Sequence, residues 1–114
     1  MRHNLIDQDA SPVLVTASGA AGAATVITIA AASDQFWALD WIAYSYTATP
    51  TGGGLTITIN GTTVFDLSVP AAGEGFISFD GPLYREVAGK NAAMVITLAG
   101  GGGAVVGKLN IRYR

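Results

Sequence analysis

The segment from Leu55 to Val69, LTITINGTTVFDLSV, alternates β-branched and polar residues around a central Asn-Gly step. β-branched side chains lose rotamer freedom in a helix and fit a pleated surface. Asn-Gly between two alternating runs is the strongest short-range signal for a β-hairpin. The register follows from where the apolar residues must face. A two-residue Asn60-Gly61 turn pairs Ile59 with Thr62 and Ile57 with Val64, and it leaves Phe65, Leu67 and Val69 on the side away from Leu55, Ile57 and Ile59. A three-residue loop, Ile59-Asn60-Gly61, pairs Ile57 with Thr63 and Leu55 with Phe65. It puts Gly61 at the left-handed position of a G1 bulge and gathers Leu55, Ile57, Phe65, Leu67 and Val69 on one face. The bulged loop is the expected arrangement.

The rest of the chain reads the same way, as short strands between turn signals with no helical periodicity. Val13 to Ala17 and Thr25 to Ala30 flank the small-residue connection SGAAGA. TATPTGGG and PAAGEG are turns by composition. Phe76 to Phe79, FISF, reads as a short strand with its aromatics on one side. DGPLYREVAGKN is a polar connection with room for a brief strand or helical turn near Tyr84 to Val87. Ala93 to Leu98 presents Met94, Ile96 and Leu98 on one face, and after Gly100 to Gly103 the last strand alternates Val105, Gly107, Leu109, Ile111 and Tyr113 with Lys108, Asn110, Arg112 and Arg114. A solvated edge strand explains that basic row, since cationic side chains there discourage unwanted pairing. The resemblance between TVITIA, LTITIN and MVITLA is common strand chemistry rather than a repeat.

Gln35 to Thr47, QFWALDWIAYSYT, holds both tryptophans and is the expected central strand. Strict alternation puts Trp37, Leu39, Trp41, Ala43 and Ser45 on one face and Phe36, Ala38, Asp40, Ile42, Tyr44 and Tyr46 on the other. The tryptophan face is assigned to the core. The opposite face is then closed by an amino-terminal arm, meets a neighbouring subunit, or forms an aromatic platform for sugar. Tyrosine buries a large area while keeping a polar handle, and Asp40 can pair with a charge across a symmetry axis, so a subunit contact is the preferred reading.

At 114 residues the chain is one domain, long enough to withdraw roughly 65% of its unfolded surface from water. Residues 1–12 read as an extended arm and residues 13–114 as the domain. Eight short strands imply an all-β, antiparallel two-sheet β-sandwich, with the strand count favouring a jelly roll over an immunoglobulin-like arrangement.

Charged residues make up 12% of the chain, against about 25% in ordinary soluble domains. Three stretches carry none: Ala10 to Ser33, Trp41 to Phe65 and Asn91 to Gly107. With a net charge of only −2 to keep copies apart, such neutral surface implies coverage by partners. The absence of cysteine removes disulfides, thiolate metal sites and thiol redox chemistry, and it fits synthesis in the cytoplasm. The first residues lack the apolar core of a secretory signal. No later run is free enough of glycine and threonine to span a membrane.

No catalytic arrangement can be read from the sequence, and the expectation is a protein that is not an enzyme and needs no metal or other cofactor. His3 has no serine or cysteine arrangement to serve. Asp7-Gln8-Asp9 opens like a calcium loop, but Pro12 and Ser18 stand where glycine and glutamate are required. Gly89-Lys90-Asn91 lacks the hydroxyl residue and the first glycine of a phosphate-binding loop. The remaining carboxylates are scattered, and the threonines of LTITIN and TTV do not make the flat repeated array of an ice-binding ladder. Lys108, Arg112 and Arg114 form a basic row that could touch phosphate or an acidic protein surface, but the solvated edge strand is the preferred reading and nucleic acid is not an expected partner.

The block WALDWIAYSYTATPTGGGLTITING and the ending GGGGAVVGKLNIRYR resemble small jelly-roll virion proteins of tailed bacteriophages, the kind that decorate or cement the head. The likeness spans most of residues 13 to 114 and is one of strand lengths and glycine turns. It implies a homotrimer seated on the major capsid protein or another virion protein, with arms reaching neighbouring subunits, made in the host cytoplasm and carried in the virion. The candidate subunit contacts are Arg2, His3, Leu5 and Ile6 of the arm, with Phe36, Asp40, Ile42, Tyr44 and Tyr46 of the aromatic strand. The competing function is a carbohydrate- or receptor-binding module of a tail or head fibre, with Tyr44 and Tyr46 as its platform.

Overall fold

The computed structural model describes residues 12–31, 38–79 and 92–114. Among them are eight strands: β1 (Val13–Ser18), β2 (Thr25–Ile29), β3 (Leu39–Tyr46), β4 (Gly54–Ile59), β5 (Thr62–Ser68), β6 (Gly73–Ser78), β7 (Met94–Leu98) and β8 (Gly107–Tyr113). They form two four-stranded antiparallel sheets, β1-β8-β3-β6 and β2-β7-β4-β5. The pairs β4·β5, β3·β6, β2·β7 and β1·β8 are nested. The chain is therefore one long hairpin centred on Asn60-Gly61 and rolled into two sheets, which is the jelly-roll order. Pairing of β8 with β3 and of β7 with β4 completes the sheets. The proposed arm, residues 32–37 and the segment around Tyr84 to Val87 lie outside the described residues.

The core is an aliphatic layer between the sheets. Ile42, Leu109 and Ile111 of one sheet and Leu55, Ile57, Ile96 and Leu98 of the other are all fully buried, with Met94 beside them. Two buried hydroxyls tie the layers together. The Tyr46 hydroxyl donates to the Ala99 carbonyl (2.6 Å) and accepts from the Gly54 N–H (3.3 Å), and Thr25 Oγ1 donates to the Gly107 carbonyl (2.9 Å).

Two β-bulges correct the expected registers. In the hairpin, Leu55, Ile57, Phe65 and Leu67 do share the core face, but the extra residue is not in the loop. The turn is the two-residue one, with Ile59 opposite Thr62 and both Asn60 (φ 51°) and Gly61 (φ 82°) at positive φ, as a type I′ turn requires. The register then slips between Ile57·Phe65 and Thr58·Thr63, so Val64 is the inserted residue. A bulge within β5 resets the alternation as effectively as one at the turn.

In β3 the slip falls between Leu39·Tyr113 and Trp41·Arg112. Leu39 (2% exposed), Ile42 (0%) and Tyr46 (3%) all face the core, while Trp41 turns outward. The tryptophan face is thus not the core face at Trp41, and Ile42 and Tyr46 have no surface to offer a subunit. Strict alternation would have put Asp40 on the buried face with Ile42, where an unpaired carboxylate costs several kcal/mol. The bulge moves Asp40 to the outer face.

β6 begins at Gly73, and Phe76 and Phe79 are three residues apart, so a period of two puts them on opposite sides. Phe79 meets Phe65 edge-on at 5.7 Å over the core, whereas Phe76 is exposed. Gly75 lies opposite Tyr44, whose ring occupies the space a Cβ would need, an aromatic cover over a glycine in a strand.

Candidate functional site

The outer face of the β1-β8-β3-β6 sheet carries the chemically varied side chains. The registers set them in three rows: Leu14, Arg112, Trp41, Ser78; then Thr16, Asn110, Ala43, Phe76; then Ser18, Lys108, Ser45, Glu74. Strand β8 lies between β1 and β3, so it is not the solvated edge strand expected for its basic row. The two arginines of that row are engaged by the carboxylate that the bulge presents. Asp40 Oδ2 accepts from Arg112 Nε (2.9 Å) and from Arg114 Nε (3.1 Å) and Nη2 (3.0 Å). Asp40 therefore finds its partners within its own chain rather than across a symmetry axis. Its side chain is 21% exposed, and those of Arg114 and Arg112 are 22% and 36%, so the cluster is a partly screened surface lock.

Beside the lock, the rings of Trp41 and Phe76 lie 5.6 Å apart with their planes tilted by 38°. Phe76 is 64% exposed. Next to it is a shallow depression of about 260 Å³ whose outward side chains are Ala43, Ser45, Glu74, Phe76 and Asn110. The side chains of Ser45, Glu74 and Asn110 make no hydrogen bond to another described residue. Tyr44 is half-buried against the core and Tyr46 is buried within it. The open aromatic surface is thus Trp41 with Phe76 and not the tyrosine pair. Burial raises the Tyr46 hydroxyl pKa above 10.0, opposed in part by the Gly54 N–H it accepts.

A second feature lies along one flank. β1 and β2 are the edge strands of their respective sheets and run side by side on the same side of the sandwich. None of residues 12–31 is charged; Leu14 (66%) is exposed on the outer face of the first sheet, Val26 (48%) on the outer face of the second, and Val13 (42%) at the start of β1. The opposite flank, β5 and β6, carries Asp66 and Glu74. The sequence contains a signal for Leu14: in Val13-Leu14-Val15 three successive apolar residues cannot all face inward.

The outer face of the other sheet gathers threonines that are spread along the sequence. Thr28, Val95, Thr58 and Thr63 form one row across it, and Val26, Thr97, Thr56 and Asp66 the next.

Of the sequence-derived contact residues, Arg2, His3, Leu5, Ile6 and Phe36 lie outside the described residues. Asp40 is at the surface, Tyr44 is half-buried, and Ile42 and Tyr46 are in the core. Among the described residues, no group of three or more His, Cys, Asp or Glu side chains is placed to hold a metal ion, and no helix is long and apolar enough to cross a membrane. No protein-family model matches the chain, and no curated protein matches it in sequence.

Proposed function

We propose that this chain is a non-enzymatic structural subunit of a bacteriophage virion, a head decoration or cement protein that acts by covering its β1/β2 flank with neighbouring subunits. The observation that carries the reading is a pair of edges with neither charge nor a covering segment among the described residues. Soluble β proteins protect edge strands with charge, proline, bulges or a covering segment, and two exposed apolar edges side by side are a template for association. Here a charge-free stretch of the described chain, residues 12–31, folds into that pair. The virion setting rests on the resemblance of the aromatic block and the basic ending to small jelly-roll decoration proteins. Its partners are two further copies of itself, as a homotrimer, and the major capsid protein or another virion protein beneath it.

The mechanism is additive. Each contact contributes about 25 cal/mol per Å² of apolar surface removed from water, less the cost of ordering the partners. The symmetry of the particle multiplies the result, because neighbouring sites are engaged together. No bond is made or broken.

Sedimentation velocity of the purified chain, followed by co-sedimentation with phage heads that lack it, tests the proposal. The expected species has three times the 11.6 kDa mass of the chain and pellets with heads. Leu14→Lys and Val26→Lys should each shift it to the single-chain mass while the chain stays folded by circular dichroism, since both side chains are exposed, with the melting temperature falling only by the stabilisation that association supplied. A wild-type chain that sediments as a monomer and leaves heads unbound sinks the proposal.

A further inference from the structure

The depression beside Phe76 combines an exposed aromatic face with polar groups that have no partner among the described residues. Ala43 is small and leaves the face of Phe76 uncovered on that side, while Trp41 supports the ring from the other. An aromatic face carries partial negative charge and attracts the polarised C–H bonds on the flat side of a sugar ring. Around it stand the hydroxyl of Ser45, the carboxylate of Glu74 and the amide of Asn110. Together these supply two donor types and several acceptors, the complement of vicinal hydroxyls.

We infer that this depression binds one neutral pyranose ring of a glycan, with a C–H face against Phe76 and its hydroxyls on Ser45, Glu74 and Asn110. The volume of about 260 Å³ is below the roughly 300–1,000 Å³ of pockets that enclose a drug-sized ligand, so the site takes a single ring. Glu74, an acceptor only, selects against acidic sugars. An apolar peptide side chain fits less well, because it would cover three polar groups without satisfying them. The site spans β8, β3 and β6 of the sheet, contains no residue of β1 or β2, and does not rest on the assembly proposal. One ring gives weak binding per copy, and repetition of the chain in an array converts that into avidity.

Saturation-transfer NMR on the full chain tests the inference. The probes are the methyl glycosides of glucose, galactose, mannose, N-acetylglucosamine and N-acetylgalactosamine, with N-acetylneuraminic acid as the acidic comparison. At least one neutral glycoside should receive saturation, strongest at the C–H protons of one ring face. Phe76→Ala and Asn110→Ala should each weaken it by about tenfold or more, the consequence of losing a single good contact, with both variants still folded by circular dichroism and Phe76→Ala melting only slightly lower for loss of its ring pair with Trp41. Leu14→Lys, which removes the proposed assembly contact, should leave it intact. Silence from every neutral glycoside, a response to neuraminic acid alone, or binding unaffected by Phe76→Ala would each overturn the inference. A change of sedimentation on Phe76→Ala would do the same, because it would mark the depression as a contact between copies.

Discussion

Tyr46→Phe isolates one polar tie between the two sheets. The ring is 3% exposed and would stay in place, so the change removes only the hydroxyl. That hydroxyl bridges the end of β7, through the Ala99 carbonyl at 2.6 Å, and the start of β4, through the Gly54 N–H at 3.3 Å. Its loss leaves the Ala99 carbonyl and the Gly54 N–H without that partner. An unsatisfied buried partner costs about 1–3 kcal/mol, and the short Ala99 bond argues for about 1.5–2.5 kcal/mol here. For a domain of this length that lowers the melting temperature by about 6–12 °C, measurable by calorimetry or circular dichroism.

The same residue sets a pH dependence whose sign can be worked out. Burial raises the Tyr46 pKa in the fold above 10.0, so the folded state holds this proton more tightly than the unfolded state does. The stability it contributes is complete below the unfolded pKa of about 10 and is lost as pH rises through the folded value. The gap between wild type and Tyr46→Phe should therefore be constant from neutral pH to about pH 9 and narrow above pH 10. A Phe variant that melts within about 1 °C of wild type at neutral pH would refute the inter-sheet tie.

Gly61→Val should lower stability by about 1–2 kcal/mol, because a β-branched residue must adopt the left-handed φ of 82°. Nothing lies within 4 Å of where its Cβ would sit, so the cost is backbone conformation alone. Gly61→Asn, which tolerates that region, should recover most of it in a denaturant titration, and a Val variant as stable as wild type would count against the turn. Asp40→Ala leaves Arg112 and Arg114 facing each other without their shared carboxylate. The expected loss is about 1–2 kcal/mol, toward the lower end for charged hydrogen bonds because Arg112 is more than a third exposed. An unchanged urea midpoint would show that the cluster contributes nothing.

Much of the fold was legible in the sequence because strand signals are local. The sides of β7 and β8 follow directly from alternation: Met94, Ile96 and Leu98 are buried, as are Leu109 and Ile111. Each of the eight strands expected from the sequence has its counterpart in the structure. The errors cluster where an extra residue enters a strand. In β5 the need for one apolar face holds, but Val64 rather than the loop supplies the inserted residue. In β3, Asp40 was the available signal. A carboxylate amid apolar residues in a central strand requires either a partner or a change of face, and here it obtained both.

The candidate site was less legible for the same reason. The placement of Ile42 and Tyr46 on an outer face failed once the bulge reversed the parity of β3, and the open aromatic pair became Trp41 with Phe76. Residues 41 and 76 meet only because β3 and β6 are neighbours. The sequence alone determined that the chain is all-β, about where its strands begin and end, and that long parts of it carry no charge. Those properties depend on side chains within a few residues of one another. Tertiary structure decided which strands share a sheet, that the neutral segment becomes two adjacent edges, and that Asp40 is held by Arg112 and Arg114. These outcomes depend on pairings between residues up to about a hundred positions apart, where a one-residue slip reverses a face and only the packed core sets the register.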